Sequence, residues 1–455
     1  MKVITTIFTL ALCIFYSALK AQDNFYFSGS IQNRNSDSIV IIQYYPTTFH
    51  RFDLGEEGNF ADSLFVEEGF YWLSDGEETT EIYLAPNHTL KLSLDAKLFD
   101  ESLYFAGSLA NENNYKAQKV LWLESIGDYA MYGVYAVKSE VDFLYYTDSL
   151  YQERIDHLQK DTSITEQFRS LAEKDDELNY KRALDNYEMM HRYYTKNDAF
   201  RKSDTFPSVF NDLDFDNPIW INLSSYRNAL VQIFNQQVRD IGLKEGQDWS
   251  LECVKIMEKN LKDKKVRNVM AINIADRLTS SKKVDSVYLY LEKMLCDEAS
   301  AEFVLNAYRK VSKTAKGNPS PKFSFKGIDD KKVKLDDFKG KFVYIDIWAT
   351  WCAPCINEIP HLKKVTEQFK DKDIAFISIC QDDTHERWIK TLEAKNLGGV
   401  QLYAENKEDS FFTDYSLNGI PRFILLDRNG VIISPNAKRP SNPELISELE
   451  DLLEE

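Results

Sequence analysis

The sequence predicts a multidomain chain with an N-terminal antiparallel β-sandwich-like domain, a helical middle region and a C-terminal α/β domain containing parallel strands. Three observations carry this. Residues 22–110 alternate apolar and polar side chains in short runs bounded by turn residues; residues 111–316 change to helical periodicity; residues 317–455 alternate strand-like with helix-like segments. The length of 455 residues agrees, at about 150 residues per domain.

Hydrophobic residues at 44% and charged residues at 28% are globular values. The formal net charge of -17, from 55 Lys+Arg against 72 Asp+Glu, argues against a nucleic-acid partner, because neutralising phosphates needs clustered cations and no such cluster stands out. The chain opens with one lysine, an apolar run from Val3 to Tyr16, and small residues ending at Ala21. That is the order of a signal peptide over residues 1–21, and the run falls short of the about 20 apolar residues a membrane span needs. Cys13 follows Leu12, where a lipoprotein cleavage site prefers a small residue. The expectation is export to the periplasm or cell envelope, with a lipid anchor the lesser alternative.

The β-rich assignment rests on S-I-V-I-I-Q-Y-Y, G-F-Y-W-L-S-D-G and E-I-Y-L-A-P-N-H-T-L-K-L-S-L-D, whose period-2 alternation suits antiparallel strands with one buried face. In the middle region Leu144, Tyr151, Ile155 and Leu158 share a helical face. Tyr226, Leu230, Ile233 and Ile241 share another, ahead of a stop at Gly242. Ser163 with Glu166 has capping-box spacing. No catalytic motif is visible before residue 316, so these regions are expected to act as a spacer or to dock a protein partner.

T-A-K-G-N-P-S-P at 314 to 321 reads as a linker. Beyond it F-V-Y-I-D-I-W is a buried strand, the segment after Cys352 a helix, D-I-A-F-I-S-I-C a strand, Glu386 to Asn396 a helix and R-F-I-L-L-D a strand. Asp427 to Gly430 turns the chain into V-I-I-S, and the last helix has Asn442 as cap, Pro443 at its first position and Glu444 in its first turn.

With the signal removed, five cysteines remain: Cys253, Cys296, Cys352, Cys355 and Cys380. Only W-C-A-P-C places two of them for chemistry. At a strand-to-helix junction its first sulfur lies at the helix N-terminus, where unpaired N–H groups and the macrodipole favour the thiolate. The second thiol is one turn away, and Pro354 fits a first turn that loses no donor. A zinc site would need a second C-x-x-C or paired histidines, and the six histidines are scattered. Cys253, Cys296 and Cys380 read as core thiols, with a Cys253–Cys296 bridge the alternative for the first two.

P-x-F-x-F, L-D-D-F-K-G-K, I-D-I-W-A-T-W-C-A-P-C, E-I-P and G-I-P-R-F-I-L-L-D together make residues 318–455 resemble the thioredoxin fold, and within it the exported TlpA/ResA-like thiol-disulfide oxidoreductases of the redoxin family. The first 110 residues resemble, more weakly, the β-rich domain of unknown function that often precedes such modules. The resemblance implies that Cys352 is the exposed nucleophile and Cys355 the buried resolving thiol of a redox-active disulfide. It also implies that Pro421 follows a cis peptide bond beside that disulfide, and that Pro360 kinks the active-site helix. Trp351, Ala353, Pro354, Ile420 and Pro421 are then the substrate-binding surface, while Trp348 is a core side chain.

Two carboxylates stand near the cysteines, Asp346 six residues before Cys352 and Glu358 three after Cys355. An acid in an apolar strand is costly if ionised and unpaired, so a raised pKa is expected for Asp346. The resemblance casts either carboxylate as acceptor of the resolving thiol's proton. It further implies a protein-disulfide reductase working on disulfide-containing proteins, recharged by a membrane or periplasmic electron donor, with no bound cofactor. The rivals are a redoxin-type thiol peroxidase using Cys380, and a binding or scaffold protein whose redox domain is auxiliary.

Overall fold

The computed structural model describes residues 24–454 apart from 45–46, 126–135, 245, 282, 382–383, 406–408 and 418. The expected signal peptide, with Cys13, lies outside the described residues. Among the described residues no helix is long and apolar enough to cross a membrane. The chain divides into two compact units, one made of residues up to Lys244 with Lys255–Asn273 and Met294–Ser300, the other of residues up to Val254 following Lys244, Ile274–Lys293 and Ala301–Glu455.

The first unit holds two four-stranded sheets. One contains β1 (Asn24–Gln32), β4 (Asn59–Phe65), β7 (Thr89–Asp95) and β8 (Tyr104–Gly107) in the order β4-β1-β7-β8. The other contains β2 (Ser38–Tyr44), β3 (Thr47–Asp53), β5 (Gly69–Ser74) and β6 (Thr79–Leu84) in the order β3-β2-β5-β6. The purely antiparallel expectation fails at one place: β1 and β7 pair in parallel. A parallel pair needs a crossover, and here it runs through all four strands of the second sheet and through β4 of the first, which local alternation cannot reveal. Alternation itself holds in β7, where Leu90, Leu92 and Leu94 are buried between exposed neighbours.

After the short α1 (Phe99–Ser102) the middle region is helical: α2 (Ala110–Ser125), α3 (Glu140–Lys160), α4 (Glu166–Thr195), α5 (Ser224–Ile241), α6 (Trp249–Asn260), α7 (Lys264–Asn273), α8 (Val284–Glu292) and α9 (Glu298–Lys313). Two consecutive asparagines on α2 pair with the edges of the two sheets. Asn113 exchanges hydrogen bonds of 2.8 and 2.9 Å with the backbone of Tyr83 on β6, and Asn114 exchanges two of 2.8 Å with Phe105 on β8. Their amides replace the missing strand neighbours that would otherwise leave edge groups open.

Three details of the helical reading are corrected. The cap of α4 is Thr165, whose hydroxyl accepts from Phe168 N, while Ser163 bonds Asp161 instead. The buried face of α5 runs Tyr226, Leu230, Phe234 and Val238, four residues apart each time, leaving Ile241 57% exposed. Gly242 does end that helix, at φ 66°. Cys253 is buried but Cys296 is exposed, and neither forms a disulfide.

The second unit contains a seven-stranded sheet ordered β10-β9-β13-β12-β11-β14-β15. Its strands are β9 (Ser324–Gly327), β10 (Lys332–Lys334), β11 (Phe342–Trp348), β12 (Ile374–Cys380), β13 (Val400–Tyr403), β14 (Arg422–Leu426) and β15 (Ile432–Ser434). β12 runs parallel to β11 and β13, and β14 antiparallel to β11. Helices α10 (Ala353–Gln368), α11 (His385–Lys395), α12 (Ser410–Asp414) and α13 (Glu444–Glu454) accompany it. Every residue of β11 is buried, as expected of a central strand covered on both faces. Val343, Ile345 and Ile347 pack with Phe411 and Ile424, whereas Phe342 and Tyr344 pack with Leu362 and Val365 of α10 and Leu445 and Leu449 of α13.

The 314–321 stretch is not a free linker. Gly317 N donates to Ile432 O at 2.8 Å, Ile432 N returns a bond to Asn318 O at 2.9 Å, and Ser320 N reaches Gly430 O at 2.9 Å. Its prolines and glycine suit an edge segment laid along the β14-β15 hairpin, whose turn has Gly430 at φ 77°.

Candidate redox site

The fully buried β11 delivers the chain to Ala349, and α10 begins four residues later. Cys352 is the N-cap of α10 and accepts from Cys355 N through its sulfur at 3.2 Å; Pro354 occupies the first turn. Cys352 and Cys355 form a disulfide with their Cα atoms 5.3 Å apart. The cysteines are 4% and 3% exposed, so burial does not separate the expected exposed nucleophile from the buried partner in this oxidised state. Their positions differ: Cys352 caps the helix and Cys355 lies inside it.

Around the disulfide the outer surface is Trp351, 56% exposed, with the exposed Ala353 and Pro354 and the half-buried Ile420 and Pro421. The Ile420–Pro421 peptide bond is cis, as the resemblance implied. On the inner side Trp348, Ala349, Cys380, Trp388 and Leu392 pack with the two cysteines. Cys380 is 0% exposed, and no peroxide could reach it without opening this cluster. Pro360 lies inside α10, where it removes one backbone donor.

Asp346 shares the Tyr344 face of β11, the face covered by α10 and α13. It is 8% exposed and accepts from the Ser378 hydroxyl at 3.4 Å. Burial, opposed by that hydrogen bond and reinforced by the charge of Glu358, raises its carboxyl to about 7. The expected direction is therefore present, and desolvation is its principal cause. Glu358, also 8% exposed, accepts from Ser441 N at 2.9 Å and from Ser441 Oγ at 2.8 Å, and Arg439 Nη1 lies 3.9 Å away. Sequence reading did not find Ser441. Its partner is 83 residues distant, and only Asn442 beside it gave a signal, as the cap of α13.

Among the described residues no group of acidic, histidine or cysteine side chains could hold a metal ion. The arrangement can exchange two electrons as a dithiol and a disulfide, with a carboxylate in the interior able to take up a proton near neutrality.

The redoxin family model matches residues 315–453. Thiol-disulfide oxidoreductase ResA of Bacillus thuringiensis subsp. konkukian is 27% identical over 143 residues, which is 31% of this chain and 80% of the relative. Thioredoxin-like protein YneN of Bacillus subtilis is 29% identical over 132 residues, 28% of this chain and 76% of the relative. Among solved structures, the thioredoxin domain of a thiol-disulfide oxidoreductase from Bacteroides vulgatus is 28% identical, covering 30% of this chain and 98% of that one, with a TM-score of 0.29.

Proposed function

We propose, from the membership of residues 315–453 in the redoxin family as a TlpA/ResA-like thiol-disulfide oxidoreductase, that this chain is exported and reduces protein disulfides by cycling Cys352 and Cys355. The observation that carries the reading is the Cys352–Cys355 disulfide at the cap of α10, on a domain whose central strand also holds the buried Asp346.

In the reduced state the Cys352 thiolate attacks one sulfur of a substrate disulfide. The substrate S–S bond breaks, its other sulfur leaves and takes a proton, and a mixed disulfide with Cys352 remains. Cys355 passes its proton to the interior carboxylates, Asp346 in the first place and Glu358 beside it, and attacks Cys352. The substrate departs with two thiols, and the enzyme is left oxidised. Two electrons from an outside donor, a membrane or periplasmic redox protein, close the cycle. No cofactor enters it. Trp351, Ala353, Pro354, Ile420 and Pro421 form the surface on which the substrate chain docks. The burial of Cys380 weighs against the thiol peroxidase alternative.

We read residues 22–110 as a β-sandwich-like domain, 111–316 as a helical region and 317–455 as the redox domain, with the first two holding a protein partner. The midpoint potential of Cys352–Cys355 in residues 22–455 tests the direction. A value near about -250 mV or lower supports a reductant, and one above about -180 mV overturns it in favour of an oxidant or isomerase. N-terminal sequencing of the mature protein tests export, with Gln22 expected first and Met1 overturning it.

A further inference from the structure

The 435–441 segment, P-N-A-K-R-P-S, leaves the β15 edge and is fastened to the Tyr344 face of the sheet. Ala437 N donates to Phe423 O at 2.8 Å, and the Tyr344 hydroxyl donates to Lys438 O at 2.7 Å. The strap ends at Ser441, whose N–H and hydroxyl both donate to Glu358, one to each carboxylate oxygen. Asn442 then bonds back to Arg439 O at 2.9 Å and its side chain caps α13 through Glu444 N at 2.9 Å, so the geometry of Ser441 is set by a turn and by a helix start together.

Glu358 lies on α10 one turn beyond Cys355, and a buried carboxylate with rotatable bonds has no single position unless donors hold it. We propose that Ser441 is a positioning residue of the redox site, which holds the Glu358 carboxylate against the sheet face that carries Asp346. The proposal rests on the dithiol reading of Cys352 and Cys355. The charged and titratable groups on this face are Asp346 and Tyr344 from β11, Arg439 and Lys438 from the strap, and Glu448 from α13, with Lys438 engaged by Glu444 and Glu448. After burial itself, it is the fixed negative end of Glu358 that raises the proton affinity of Asp346. The Ser441 hydroxyl is thus an outer control on the group that takes the Cys355 proton, reached through a contact on the protein surface.

The test compares the full chain with Ser441→Ala, Ser441→Thr and Glu358→Gln. The readout is the rate of resolution of a preformed mixed disulfide between Cys352 and a thiol-containing peptide, from pH 5 to 9. Wild type is expected to rise through a midpoint near 7, the value about which Asp346 titrates. Ser441→Ala should move that midpoint down by about half a unit, Glu358→Gln by about one, and Ser441→Thr, which keeps both donors, not at all. A Ser441→Ala profile superimposable on wild type overturns the proposal, as does Ser441→Thr behaving like alanine. Failure of wild type to resolve the mixed disulfide at any pH overturns the dithiol reading instead. Because Ser441 is exposed and its N–H remains in every variant, an equal melting temperature is expected across the serine series.

Discussion

The backbone N–H of Cys355 points at the sulfur of Cys352 from 3.2 Å, so the first turn of α10 offers the outer cysteine a donor inside its own motif. In the reduced protein the same donor, at the helix N-terminus, is expected to favour the Cys352 thiolate. Brief iodoacetamide treatment of the reduced chain followed by peptide mass mapping should label Cys352 at least tenfold ahead of Cys355. Preferential labelling of Cys355 would reverse the assigned roles.

The raised Asp346 also makes a stability prediction. In the unfolded chain an aspartate gives up its proton near 3.8, whereas in the folded chain this one holds it to about 7. Between those values the folded state binds more protons than the unfolded, so stability is lost as pH rises through that window and is unaffected below it. Asp346→Asn removes the effect. Relative to wild type it should be neutral at pH 3.5 and more stable by about 2 to 4 kcal/mol at pH 8, seen as a melting difference that opens across the window. An equal difference at both ends would mean that packing, not ionisation, separates the two proteins. The same variant should slow mixed-disulfide resolution about tenfold or more at pH 7, and flatten its pH dependence.

Legibility in the sequence follows the range of the interaction. W-C-A-P-C, the β11 run and the hairpin after Asp427 are local, and each stands in the structure where the sequence places it. Pro421 was legible through resemblance. The β1-β7 parallel pair, the Asn113 and Asn114 bridges and the Ser441–Glu358 contact join residues far apart in the chain, and no periodicity encodes them. Thr165 displaced Ser163 as a cap because Glu112 of α2 accepts from Thr165 N and fixes the chain's entry into α4, a tertiary decision between two adequate capping residues. β9, β10 and β13 escaped because three or four residues are too few to show alternation.

Cys380 ends β12 beside Trp348 and packs against Trp388, Cys352 and Cys355, which makes it a filler of the apolar wall. Cys380→Ala should retain disulfide reduction within about twofold and cost about 1 to 2 kcal/mol from the small cavity left behind. Activity assayed with a disulfide peptide and stability by thermal melting check both halves. Peroxide consumption by wild type that vanishes in this variant would reinstate the thiol peroxidase reading.

In the first unit Lys119 reaches both oxygens of Asp176 at 2.7 Å, with the side chains 18% and 4% exposed. An aspartate this enclosed depends on its cation, since the desolvation cost of the carboxylate remains when the partner is removed. Arg154 also faces Asp176 electrostatically, so the loss is only partly uncompensated. Lys119→Met should therefore destabilise the region by about 2 to 3 kcal/mol, and Asp176→Leu by a similar amount because it takes the shared carboxylate away from the half-buried Lys119 and Arg154, although Arg154 still faces Asp175. The double variant should cost less than the sum by about 1 to 3 kcal/mol. Hydrogen exchange of peptides from α2 and α4 in the full chain reads the effect where it arises. Additive protection losses would mean that packing around Lys119 and Asp176, and not their charges, holds α2 to α4.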